Sequence, residues 1–136
     1  MSFAHLTLAT RNVQATASFF AETFGWHPGE VPGNTPMEAQ WLNIGRGQQS
    51  HILFVGDCAV SPFEAEFGRH VAVFQPLGSF EKLKARITDR GGVIIPEMRT
   101  VPFTRFFFRE PVNGYVFEVI DDARAVTTGD ARPESR

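Results

Sequence analysis

Phe3-Ala4-His5-Leu6-Thr7-Leu8 and Arg69-His70-Val71-Ala72-Val73-Phe74 open two stretches of the chain that read as one unit written twice. In each, a histidine sits in an alternating run with the two-residue period of a strand. A segment with helical spacing follows and stops at a glycine, Gly25 in the first copy and Gly91 in the second, at nearly the same distance from the histidine. A third polar residue, Glu118, interrupts the otherwise apolar strand Tyr115-Val116-Phe117-Glu118-Val119-Ile120, where a lone carboxylate is costly unless something neutralises it. Two imidazoles and a carboxylate on interior strand faces suggest a metal site.

Working outward, the first unit (residues 1–58) starts with a strand over 3–9 that puts Phe3, His5 and Thr7 on one face and Ala4, Leu6 and Leu8 on the other. Asn12 is a good N-cap for a helix whose stripe Val13, Ala17, Phe20, Phe24 should cover the Leu6/Leu8 face before Gly25 ends it. Turn residues around Gly29 to Pro36 lead to strands at about 38–44 and 50–55, joined by a glycine turn at Gly45 to Gly47. That turn is no phosphate loop, because no helix follows it. A short link, 59–68, leads to the second unit, 69–122. There a strand over 69–74 is followed by Ser79 as a helix cap, the stripe Phe80, Leu83, Ile87, and strands at 93–95, 104–108 and 115–120. Both units read βαβββ, an α+β class, and the polar residues 123–136 read as a disordered tail.

Composition narrows the function. A chain of 136 residues with 43% hydrophobic content supports one compact domain or two small units sharing a core. A formal charge of -2 with no basic run gives no electrostatic reason to expect nucleic acid or an anionic membrane as a partner, which points to small molecules. The apolar runs fall far short of the roughly 18 residues a membrane span needs. The N-terminal residues lack the pattern of a signal peptide. With Cys58 as the single cysteine there is no intrachain disulfide, and a cytoplasmic location is expected.

With the repeat and these three residues in view, the chain resembles the vicinal oxygen chelate superfamily, which includes glyoxalase I, extradiol dioxygenases, fosfomycin-resistance and bleomycin-resistance proteins. The resemblance covers roughly residues 3–122. It rests on His5 in the first strand, Ser18-Phe19-Phe20 through Phe24-Gly25 in the first helix, His70, and above all Arg109-Glu110-Pro111-Val112-Asn113-Gly114-Tyr115-Val116-Phe117-Glu118, which looks like the family's terminal hairpin with a turn one residue longer. It implies that each βαβββ unit forms half of an open, cleft-containing barrel, and that His5, His70 and Glu118 hold one divalent metal ion. Two neutral imidazoles and a carboxylate suit Fe, Mn, Ni, Co or Zn and leave positions open for adjacent substrate oxygens. It also implies a homodimer, with each site built within one chain or across two.

Further residues are legible only as candidates. The glyoxalase I branch carries a fourth ligand, a glutamate, on the last strand of its first unit; here Leu53 or His51 takes that place, so His51 reads as a fourth ligand, a general base or a strand-end surface residue. Trp41, Asn43, Arg105 and Phe107 are cleft-lining, substrate-binding candidates from strand parity, with Arg105 available to an anionic substrate. The bland reading of Glu118 is a carboxylate paired with Arg105 or Arg109. His27 reads as exposed. Extradiol enzymes carry a tyrosine where this chain has Phe107 or Phe108, and the fosfomycin branch has a serine, threonine and lysine cluster that is not found here. The expected activity is Lewis-acid catalysis on a small oxygen-bearing molecule: isomerisation, lyase chemistry or nucleophilic addition. The competing classes are a non-catalytic drug-binding protein of the bleomycin-resistance type and an extradiol-type dioxygenase.

Overall fold

Alternation along the first strand, β1 (His5–Thr10), buries Leu8 and Thr10 and leaves His5 exposed. The computed structural model of the chain describes residues 3–59 and 63–127. Asn12 caps helix α1 (Val13–Phe24) as its side chain accepts from the Ala15 N–H at 3.0 Å, and Gly25 ends it in the left-handed conformation at φ 73°. The buried stripe is broader than expected, because Thr16, Phe19 and Thr23 join Val13, Ala17 and Phe20. Thr23 fits there by returning its hydroxyl to the Phe19 carbonyl at 2.7 Å. Trp26, just past the helix, stacks on Phe20 with ring centroids 5.0 Å apart.

Three more strands complete the first unit: β2 (His27–Gly29), β3 (Ala39–Gly45) and β4 (Gln48–Phe54). The sheet order is β1-β4-β3-β2, with β1 parallel to β4 and the other pairs antiparallel. Helix α1 packs on β3 and β4, over Leu42 and Ile52, both fully buried. The strand β2 supplies the element that the βαβββ reading required without locating it. His27 belongs to it, and is exposed as expected. The sequence His-Pro-Gly carries no strand signal of its own, and pairing with Trp41–Asn43 on β3 is what makes it one.

The second unit repeats this topology. Strands β5 (Val71–Gln75), β6 (Val93–Ile95), β7 (Arg105–Arg109) and β8 (Val116–Asp121) are ordered β5-β8-β7-β6, with β5 parallel to β8. Helix α2 (Phe80–Asp89) buries Phe80, Leu83 and Ile87. Below it lies the apolar face of the sheet, with Phe80 edge-on to Phe106 and Phe108 stacked on Phe117. Two boundaries differ from the sequence reading. His70 precedes β5 instead of lying within it, and Ser79 is not a capping side chain, because Leu77–Ser79 forms a 3-10 turn in which its hydroxyl donates to the Pro76 carbonyl at 2.7 Å.

The tail expected to be disordered from residue 123 instead begins with a short helix, α3 (Ala123–Thr127). Asp121 accepts from its first N–H, and Arg124 lies over the Phe103 ring. Residues 128–136, and 60–62 of the link, lie outside the described residues. No helix among the described residues is long and apolar enough to cross a membrane.

Glu110 fixes the β7–β8 turn that carries the family-like hairpin. Its carboxylate is 1% exposed and accepts the backbone N–H groups of Val112, Asn113 and Tyr115 at 3.0, 2.6 and 3.3 Å. Burial pushes this carboxyl above its ordinary value, against the pull of those donors. The extra residue of the turn is thus accommodated around a buried acceptor. Glu110→Ala should destabilise the protein by about 2–3 kcal/mol through the N–H groups it strands, read as a lower urea midpoint with an unchanged slope.

Candidate metal centre

Strand register sets which side chains meet. In the second unit Ala72 lies opposite Glu118, and Phe107 lies opposite Glu118 on the other side. Parity puts Glu118, Phe107 and Arg105 on the face away from α2, and His70 reaches the same place from the residue before β5. Its Nε2 stands 3.2 Å from Glu118 Oε1, and its Nδ1 stands 3.2 Å from the Ala65 carbonyl oxygen. Both partners only accept, and a neutral imidazole carries one hydrogen; when it sits on Nδ1 it is donated to the carbonyl. The Nε2 lone pair then faces a carboxylate oxygen that also has only lone pairs. Such a pair requires a cation between or beside its members, either a proton on Nε2 or a metal ion. A backbone carbonyl fixing the outer nitrogen is the support a metal-binding histidine needs, so the donor set fits a divalent ion.

The other oxygen of Glu118 is held by Arg105, whose Nη1 donates to Oε2 at 3.0 Å. Four of the five N–H groups of Arg105 are taken up within the chain. Its Nε donates to Glu97 at 2.9 Å, its Nη2 donates to Glu66 at 2.8 Å and to the Arg99 carbonyl at 3.0 Å, and its side chain is 2% exposed. The sequence expectation of an arginine open to an anionic substrate gives way to a buried countercharge for three carboxylates. Burial opposes its charge, and Glu97, Glu118 and Glu66 outweigh that and raise its pKa above the ordinary value. Burial likewise pushes Glu66 up, but the Met98 N–H and Arg105, with Arg99 farther off, bring it below the usual carboxylate range. Phe107 lies beneath this group, 0% exposed, with the guanidinium 4.8 Å above its ring and the His70 ring edge-on at 5.4 Å. It is a floor, not a free lining surface.

In the first unit three rings form one stack across three neighbouring strands. His5 lies on His51 with centroids 3.9 Å apart and planes 16° apart, and His51 lies on Trp41 at 3.8 Å and 7°. His51 Nε2 is 2.9 Å from Gln49 Oε1, whose amide nitrogen donates to Asn43 at 2.9 Å. Burial and the neighbouring His5 lower the His51 pKa, so it is neutral at neutral pH.

Register also settles which residue of β4 matches Glu118. His5 pairs with Gln49 and His51 is two residues further along; in the second unit, extending the Val71–Phe117 pairing sets His70 opposite Val116, with Glu118 two residues further along. By the internal repeat, His51 occupies the place of Glu118, Trp41 that of Phe107, and Leu53 is not the equivalent. Among the described residues, no three His, Cys, Asp or Glu side chains gather as a metal-holding group. Each unit brings together a pair. Sequence reasoning missed the Ala65 carbonyl, Glu66, Glu97 and Gln49; the only signals were the acidic residues at alternate positions 64 and 66 and the polar alternation of 49 and 51.

The family model of the Glyoxalase/Bleomycin resistance protein/Dioxygenase superfamily matches residues 2–119. The chain belongs to this superfamily. Solved structures agree on the fold of this glyoxalase-superfamily protein. A mutant of the fosfomycin resistance protein FosX from Listeria monocytogenes, complexed with Mn(II) and 1S,2S-dihydroxypropylphosphonic acid, is 18% identical with a TM-score of 0.74, covering 88% of this chain and 91% of that one. FosX from Mesorhizobium loti is 14% identical with a TM-score of 0.70, covering 92% and 97%. A possible glyoxalase from Bacillus cereus is 20% identical with a TM-score of 0.65, covering 88% and 98%. No curated protein matches the sequence significantly. At these identities the neighbours speak for the glyoxalase fold and leave the reaction to be argued from the residues.

Proposed function

We propose that this glyoxalase-superfamily protein is a divalent-metal-dependent enzyme acting on a small oxygen-bearing molecule, with His70 and Glu118 as two of its ligands and His5 as the third that the family resemblance implies. The observation that carries this reading is the His70–Glu118 pair: with Nδ1 committed to the Ala65 carbonyl, Nε2 faces a carboxylate oxygen at 3.2 Å and calls for a cation. The Mn(II) in the Listeria FosX complex is consistent with that class of ion. When bound, such an ion supplies Lewis acidity, worth several kcal/mol to negative charge developing on neighbouring substrate oxygens.

The chain's own residues support that chemistry in distinct ways. Ala65 selects the His70 tautomer. Arg105 holds one Glu118 oxygen, so the carboxylate presents the other. Phe107 excludes water from below both, which strengthens every charge interaction above it. On the open face of the first sheet, Trp41 and Asn43 are proposed to offer an aromatic surface and an amide to the substrate.

The test is metal-dependent stability and turnover. Dialysis against a chelator should lower the melting temperature, and Mn(II), Co(II) or Zn(II) at a hundred times its Kd should restore about 2.7 kcal/mol. Screening epoxides, α-hydroxy carbonyls and catechols should then reveal product formation only with the ion restored. A melting temperature indifferent to chelator and metals alike would sink the reading in favour of a sequestering cleft.

A further inference from the structure

The geometry points to His51 as a positioning residue that orients the His5 imidazole by stacking, with Trp41 as its backing, and not as a fourth ligand. This rests on the proposal that His5 binds the metal. An ion bound through an imidazole nitrogen lies in the plane of that ring, about 2 Å from the nitrogen. Two rings stacked face to face at 3.9 Å and 16° have planes that do not converge at such a distance from both. Only one of the two rings is therefore a ligand in this arrangement, and the surroundings say which.

His51 is the held ring. Trp41 lies opposite it in register and covers one face at 3.8 Å, His5 covers the other, and its Nε2 is engaged by Gln49. Gln49 is in turn anchored to Asn43, whose amide packs over Gly29 so closely that a Cβ there would stand 3.1 Å from it. His5 is the presented ring: it is exposed, and none of the described residues hydrogen-bonds to its nitrogens. Among the described residues, its ring stacks on His51. In the repeat the corresponding place is taken by Glu118, whose Oε1 stands 3.2 Å from His70 Nε2; the first unit sets ring on ring.

The experiment compares His51→Phe, which keeps a ring in the stack, with His51→Ala, which removes it. Mn(II) affinity is read by electron paramagnetic resonance, and the His5 ring proton shifts by NMR in metal-free protein. His51→Phe should hold Mn(II) within about threefold of wild type and keep the upfield, stacked His5 signals. His51→Ala should weaken Mn(II) about 10–100-fold, the range for residues that support a ligand, and move the His5 signals to those of an exposed histidine. If His51→Phe loses Mn(II) as fully as His51→Ala while the His5 signals stay stacked, His51 touches the metal or the substrate and the inference is overturned. It is equally overturned if His51→Ala leaves the His5 signals unmoved. Wild-type protein that binds no Mn(II) would defeat the metal reading by itself and remove His51's role in presenting a ligand, while the metal-free spectra would still report whether the stack orders His5.

Discussion

Arg105→Met should destabilise the protein by about 3–5 kcal/mol and lower its melting temperature by roughly 10 °C or more. The guanidinium is 2% exposed and is the shared countercharge of Glu66 and Glu118, both nearly buried, and of the half-exposed Glu97. Methionine matches the stem and leaves Glu118 without its arginine and Glu66 with only the more distant Arg99, at 3.7 Å. By contrast, Glu97→Gln should cost less than about 1 kcal/mol, because that partner reaches solvent. Glu66→Gln added to Arg105→Met should recover part of the loss, and the coupling is measurable in a double-mutant cycle by urea denaturation. Equal costs for Arg105→Met and Glu97→Gln would mean that the network is solvated and the burial argument fails.

His70→Ala should reduce divalent metal affinity about 100-fold or more, at least the upper range for residues that only support a ligand, while costing about 1 kcal/mol of stability in metal-free protein. The asymmetry follows from where His70 sits. Its side chain is 22% exposed and makes one edge contact with Phe107, so little packing is lost, whereas its Nε2 is the group that faces Glu118. Isothermal titration with Mn(II) reads the first effect and thermal unfolding in chelator the second. Unchanged affinity in the variant would remove His70 from the ligand set.

Much of this fold was legible because its signals are local. Asn12 and Gly25 bracket α1, alternation marks β1, a short apolar run marks β8, and the repeat aligns two histidines that sequence distance alone would never connect. What stayed hidden depends on pairing across the sheet or on loops. The strand β2 exists because β3 holds it, not because His-Pro-Gly favours extension. Parity put Arg105 on the face of Glu118, but Glu66 and Glu97 reach it from the loops before β5 and after β6, so a residue read as free for substrate is buried among carboxylates of its own chain. Likewise Trp41 and His51 were recognisable as candidates of one face, and only the register, which sets them directly opposite, turns them into a stack. Local chemistry names the actors; tertiary neighbours decide which are still available.

On the proposed reading, His5, His70 and Glu118 are the ligands of one divalent ion. Metal content by mass spectrometry, on tag-free protein expressed with supplementary metal and beside a His5→Ala/Glu118→Ala double variant, tests it most directly. The expected result is about one divalent ion per chain in the wild type and none in the variant, as for a single mononuclear site. Equal metal in both proteins, or none in the wild type even after titration, would contradict it.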